Sequence, residues 1–311
     1  MARKKSSAVR PTGDGVSCFI KQLPESELLA AAETAIAENP ANAPLETFVA
    51  FVPGGGAGDS ELSPLSPQRL AVLTSKYWGA GGKVLTVGWL DGPNAETRRL
   101  ILQYANKWSQ YGNVKFVESA TDPVVRISRT PGDGYWSYLG TDVLRVPRGQ
   151  PTMNLAGFTE RTRPEEYERV VVHEFGHTLG CPHEHLRPEI VALIDERKAL
   201  DYFRRHAGWN EQITRSNVLT PLDVRSITGS TVTDPVSVMT YPLPGEIMKD
   251  GRPIPGGPTL SPTDKMFFGQ LYPLPEQPPP PPTGGLLNLT VNLDRKEVVV
   301  ALPQGWTLGR S

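Results

Sequence analysis

Two cysteines in 311 residues, Cys18 and Cys181, exclude a fold held by a disulfide framework and leave either one bridge or two free thiols. No apolar run approaches the ~20 residues that span a bilayer, so no membrane insertion is expected. The start, "MARKKSSAVRPTGDGVS", has a basic end but no apolar stretch behind it, so standard secretion is not encoded there. A charge excess is missing too. Thirty-two Lys and Arg against 33 Asp and Glu give a net charge of −1, which removes any global pull toward nucleic acid. The basic "MARKK" reads as a solvated end. Histidine is scarce as well: the chain has 5, and His173, His177, His183 and His185 all fall inside "VVVHEFGHTLGCPHEHLRP", Val170 to Pro188. Otherwise, 38% hydrophobic and 21% charged residues describe an ordinary soluble chain, long enough for one large domain or two modest ones.

Residues 24–38 read as a helix, with Pro24 and acidic residues at its start and Asn39-Pro40 as its stop. "PGGGAGDSELSPLSP", Pro53 to Pro67, looks like a joint, so residues 1–64 form an arm or a removable pro-segment. "VLTVGWL", "VKFVE" and "VVRIS" are strand-like, with a helix from about Asn94 to Ser109 between the first two. Val143 to Asn154 reads as one or two further strands. A helix capped by Thr162, with Pro164 near its first position, should run through Leu179 and end at Gly180. Further helices are expected around Ile194 to His206 and Pro262 to Leu271. The body therefore spans 65–274. A proline-rich linker, 275–285, and a β-rich tail, 286–311, follow; the tail alternates well enough for a small hairpin or an added strand pair, and being too short to stand alone it is expected to add strands to the body.

On a helix, His173 and His177 lie four residues apart on one face, one turn from each other, where two imidazoles can share a zinc ion. Glu174 points to the adjacent surface and can reach a water on the metal, the place of a general base. Gly180 turns the chain, and His183, six residues after His177, can swing back as third ligand. Three histidines leave a tetrahedral zinc one open position, which is the catalytic arrangement rather than the structural one. A structural site would need a fourth protein ligand, and Cys181 sits too close to the turn to serve easily.

"HEFGHTLGCPH" resembles the signature of the metzincin metalloproteases, and its continuation through Glu184 to Arg187-Pro188 looks like the astacin branch of bacterial type. The resemblance runs from about 83 to 273. It implies an α+β fold, with a twisted mixed sheet, the zinc helix beneath it and an irregular lower half after Gly180. "SVMTYP" is similar to the family's methionine turn, with Met239 packing under the ligands and Tyr241 in place to bind the zinc or a developing oxyanion. The paired disulfides of animal astacins have no cysteines here to form them, and Cys181 stands where an aromatic residue is usual. His185 reads as a neighbour of the site or a surface residue, and His206 as a residue on a helix surface.

The chain is thus expected to be a zinc endopeptidase acting on protein or peptide substrates as a monomer, with one catalytic Zn2+. A silent zinc-dependent peptide binder, or a zinc hydrolase of another amide or ester, is the alternative. Cys18 offers a latency ligand from the N-terminal arm, by likeness to the cysteine switch of matrixins. Asp14 could do the same with oxygen, and a buried free thiol or a bridge to Cys181 are the plainer readings. Since an unrestrained protease endangers its own cytoplasm, export without an N-terminal signal, or latency before release, is expected.

Overall fold

The computed structural model describes residues 18–44, 74–223 and 233–275, together with two short strands, 288–292 and 297–301. The joint at 53–67, the linker at 275–285 beyond Pro275, and Asp14 lie outside the described residues. The chain forms two units, Met1–Leu274 and Pro275–Ser311.

The first unit is built on a mixed six-stranded sheet. Its strands are β1 (Cys18–Lys21), β2 (Lys83–Trp89), β3 (Val114–Glu118), β4 (Val125–Ser128), β5 (Tyr135–Tyr138) and β6 (Met153–Leu155), in the order β1-β5-β6-β4-β2-β3. Only the β5–β6 pair is antiparallel. The alternation in β2 buries Leu85 and Val87, whereas central β4 is buried throughout, as a strand covered on both faces must be. Helix α1 (Leu28–Glu38) precedes the body and α2 (Ala95–Ala105) joins β2 to β3. Asn94 caps α2 by accepting from the Thr97 N–H at 2.8 Å.

Three local expectations change. The region from Val143 to Asn154 holds a 3-10 run, Gly140–Arg145, and only the start of β6, because Pro147 and Gly149 prevent a longer ladder. The aromatic strand β5 takes its place. Thr162 does not cap the histidine helix: its hydroxyl accepts from the Thr159 N–H, and Arg163 stands at the N-cap without a side-chain bond. That helix, α3, opens with Pro164–Glu166, widens into a π-helical stretch, Tyr167–Val171, and tightens to α at Val172–Thr178.

α3 lies in the main core, with Phe175 edge-on to Phe116 at 4.6 Å and the Trp108 indole N–H donating to the Val172 carbonyl. The helix ends at Gly180, whose φ of +91° lies in the left-handed region. A Cβ there would stand 2.9 Å from Tyr77 Cδ1 and 3.0 Å from the Lys76 carbonyl oxygen. Gly180→Ala is therefore expected to lower stability by about 1–3 kcal/mol in denaturant titration, and an unchanged midpoint would contradict this account of the turn.

Beyond Gly180 a second apolar cluster forms around Ile190, Phe203, Trp209 and Ile247. Helix α4 (Glu196–His206), capped by Asp195, lies in this region, and α5 (Pro262–Leu271) opens with a capping box between Ser261 and Asp264. The N-terminal arm is integrated into the first unit. β1 extends the sheet at β5, and buried Asn42 ties α1 to the body by bonding the Ala35 carbonyl, both polar groups of the Tyr77 backbone and the Ser75 hydroxyl. In the second unit β7 (Asn288–Asn292) and β8 (Glu297–Ala301) pair antiparallel with each other. Among the described residues no helix is long and apolar enough to cross a membrane.

Candidate metal centre

α3 sets His173 and His177 one turn apart, and the Gly180 reversal returns His183 to face them. His183 Nε2 lies 3.3 Å from His173 Nε2 and 3.1 Å from His177 Nε2. The outer nitrogens are fixed from behind: His173 Nδ1–H donates to the Val238 carbonyl at 2.6 Å and His177 Nδ1–H to the Cys181 carbonyl at 2.8 Å. Those two bonds place the protons on Nδ1 and leave the Nε2 lone pairs turned inward. Burial pushes the His173 imidazolium down to about 4 and lowers His177 and His183 well below the usual imidazole range, which favours the neutral rings that can ligate.

Cys18, brought in by β1, completes the group. Its Sγ lies 3.5 Å from His177 Nε2, and one donor atom from each of Cys18, His173, His177 and His183 falls within 4.8 Å of the others. Tetrahedral zinc with bonds of about 2.0–2.1 Å to nitrogen and 2.3 Å to sulfur sets its ligands roughly 3.3–3.6 Å apart. The observed spacings and the inward lone pairs fit that ion. Both cysteines are free and buried, so the bridge between them is not formed.

Glu174 is fully buried beside this cluster. Apart from the neighbouring Cys18 thiol, neither carboxylate oxygen has a hydrogen-bond partner among the described residues, and desolvation pushes its pKa up to about 8. The neighbouring Cys18 thiol is raised by its own burial and by the Glu174 charge. An unpartnered buried carboxylate is costly to keep unless a ligand or water shares it.

Met239 packs under α3. A Cβ on Gly176, between the two helical histidines, would fall inside contact distance of the Met239 sulfur and the Trp108 ring. Tyr241 lines the cleft, its ring centroid 6.4 Å from that of His183. His185 is a buried neighbour of the site rather than a surface residue. Its Nε2 bonds the Asn217 carbonyl at 2.9 Å and its Nδ1 accepts from the Tyr241 N–H at 3.1 Å. His206 stays exposed, stacked on Tyr202. The cleft, about 570 Å³, also takes in Arg169, Thr240 and a proline-rich wall that includes Pro242 and Pro255.

Sequence reasoning missed three contributors. Val238 acts through its carbonyl. Asp264 bonds the Ser237 hydroxyl at 2.6 Å and the Val238 N–H at 2.9 Å, tying the methionine turn to α5. Asn217 reaches the N-terminal strand. Backbone acceptors and distant caps carry no residue-type signal.

Residues 87–227 match the model of the peptidase family Astacin. A solved structure described as "Structure of myroilysin" is 32% identical with a TM-score of 0.60, over 66% of this chain and 98% of that chain. A second, "Crystal structure of myroilysin", is 31% identical with a TM-score of 0.50, over 64% of this chain and 86% of that chain. High choriolytic enzyme 1, a hatching enzyme zinc-protease from the medaka fish Oryzias latipes, is 19% identical with a TM-score of 0.41, over 61% and 88% of the two chains. No curated protein matches.

Proposed function

From the premise that this chain belongs to the astacin family and is a zinc metalloendopeptidase, we propose that His173, His177 and His183 hold the ion and Glu174 is the general base. The observation that carries this reading is the convergence of three inward Nε2 atoms beside a buried carboxylate with no other partner. Zinc, when bound, supplies Lewis acidity, which makes water nucleophilic near neutral pH and withdraws electrons from a carbonyl. Glu174 takes the proton of the attacking water and returns it to the leaving amine. The Tyr241 hydroxyl donates to the oxyanion that develops on the peptide carbonyl. Val238 and Cys181 keep the imidazoles in the ligating tautomer, and Met239 with Gly176 sets the floor beneath them. A substrate lies extended along β5, the strand that faces the cleft through Tyr135.

A second proposal follows from Cys18. Its sulfur stands where a fourth ligand belongs, and β1 lies on β5. The described full chain is then latent, with residues 1–64 as a removable pro-segment ahead of the catalytic body at 65–274. Such latency also suits a protease exported before it is released.

One digest tests both readings. A peptide library is offered to the full chain and to a chain beginning near Leu65, each with and without chelator, and fragments are read by intact mass. Internal cleavage that chelator stops is expected from the shorter chain, at a rate at least about a hundredfold above the full chain, since blocking the open zinc position and the strand site removes most turnover. Equal activity of the two chains defeats the latch. Cleavage by neither chain, both zinc-loaded, defeats the peptidase reading in favour of a silent binder.

A further inference from the structure

β1 is held on both of its edges. One edge pairs with β5, with Cys18 opposite Tyr135 and Lys21 opposite Tyr138. On the other edge, the Ile20 N–H donates to Asn217 Oδ1 at 3.2 Å. Successive residues of an extended strand turn their N–H groups to opposite sides, so a chain lying on β5 offers an outward N–H at every second residue, whichever way it runs.

Asn217 is prepared to receive such a group. It sits in a π-helical turn, Arg215–Leu219, and is nearly buried. Its Nδ2 donates back to the Ile213 carbonyl at 3.0 Å and lies 3.1 Å from the Ser216 hydroxyl. Those bonds settle the amide orientation and leave Oδ1 as the acceptor facing β1. The residue is also braced from behind, because its backbone carbonyl takes His185 Nε2–H while His185 Nδ1 holds the Tyr241 N–H. One buried imidazole therefore links the backbone of Asn217 to that of the cleft tyrosine, one through each ring nitrogen.

We infer that Asn217 is a main-chain anchor of the cleft: its Oδ1 accepts an N–H from any extended peptide lying along β5, that of Ile20 in the full chain and that of the substrate during cleavage. The inference rests on the peptidase reading. It assigns Asn217 a role that is blind to side-chain identity, since only the backbone is read. It also fixes the strand on the edge opposite the sheet, which limits the sideways tilt of the peptide and keeps the scissile bond at the height of Glu174.

The test is a scan of peptides, each with one main-chain nitrogen methylated, against the active chain beginning near Leu65, taken here as the wild type, and its Asn217→Ala and Asn217→Asp variants. Methylation deletes a single donor. In the wild type one position is expected to raise KM roughly three- to tenfold beyond its effect in Asn217→Ala, the size of one net hydrogen bond, with kcat little changed. Asn217→Asp keeps an oxygen acceptor and should retain the penalty at that same position. A merely structural role for Asn217 would move stability or kcat and leave the methylation pattern alike in all three proteins, and that result overturns the anchor. Amide exchange at Ile20 in the full chain gives the second readout: it should quicken about tenfold in Asn217→Ala while the amides facing β5 keep their protection. If the zinc-loaded chain beginning near Leu65 cleaves no peptide, the peptidase reading falls, and unchanged Ile20 exchange in the Asn217→Ala full chain would overturn the anchor independently.

Discussion

Replacing Glu174 by Gln is expected to leave one zinc per chain and to lower kcat/KM for peptide cleavage by about 10²–10⁴-fold. The substitution keeps the shape of the side chain and removes its ability to take a proton. Apart from the Cys18 thiol, Glu174 has no hydrogen-bond partner among the described residues, so its loss as a carboxylate should disturb little of the surrounding structure. Its backbone lies within α3, whose position is set by the core contacts of Phe175 and by the Trp108 bond to Val172, not by the carboxylate. Metal content and steady-state rates on the same preparation decide the matter. A Gln variant that still cleaves at the wild-type rate would remove Glu174 from the mechanism.

His177→Ala is expected to abolish both zinc binding and cleavage. His177 is fully buried and is the ring that both His183 and Cys18 approach, at 3.1 and 3.5 Å. Its removal deletes a central donor, leaves the Cys181 carbonyl without its ring partner and opens a cavity, at a cost of about 2–5 kcal/mol. The loss of bound metal lowers the melting temperature further, because a ligand that binds only the folded state adds to its stability. Chelated wild type should match the variant in activity but remain the more stable of the two. Stoichiometric zinc with undiminished turnover in His177→Ala would break the ligand assignment.

The legible part of this protein was the part where one local segment carries the chemistry. HExxH on a helix followed by glycine fixes two imidazoles and a carboxylate by helical geometry alone, so their meeting with His183 needed no tertiary information beyond the turn at Gly180. Strands β2, β3 and β4 showed through their β-branched residues, and α2 and α5 lie within the ranges expected from about Asn94 and Pro262. β5 did not show: four residues, two of them tyrosines and one a tryptophan, give too short an alternation. The arm was the larger surprise. Nothing in "GVSCFIKQLP" says that its strand pairs with Tyr135–Tyr138, because that pairing spans more than a hundred residues and is made through the backbone. The burial of His185 was hidden for a similar reason. It depends on Asn217 and Tyr241, which come from distant turns.

The two attachments of the arm, β1 at the sheet and Asn42 under α1, have a kinetic consequence for release. A single nick anywhere between Pro44 and Thr74 would break a covalent bond yet leave every one of those contacts in place. If Cys18 holds the full chain latent as proposed, the severed piece would then behave as a tight inhibitor supplied at one equivalent, no longer held by the high local concentration that a tether provides. Dilution, or digestion of the freed piece, would govern how fast activity emerges, so the onset should lag behind the cut itself.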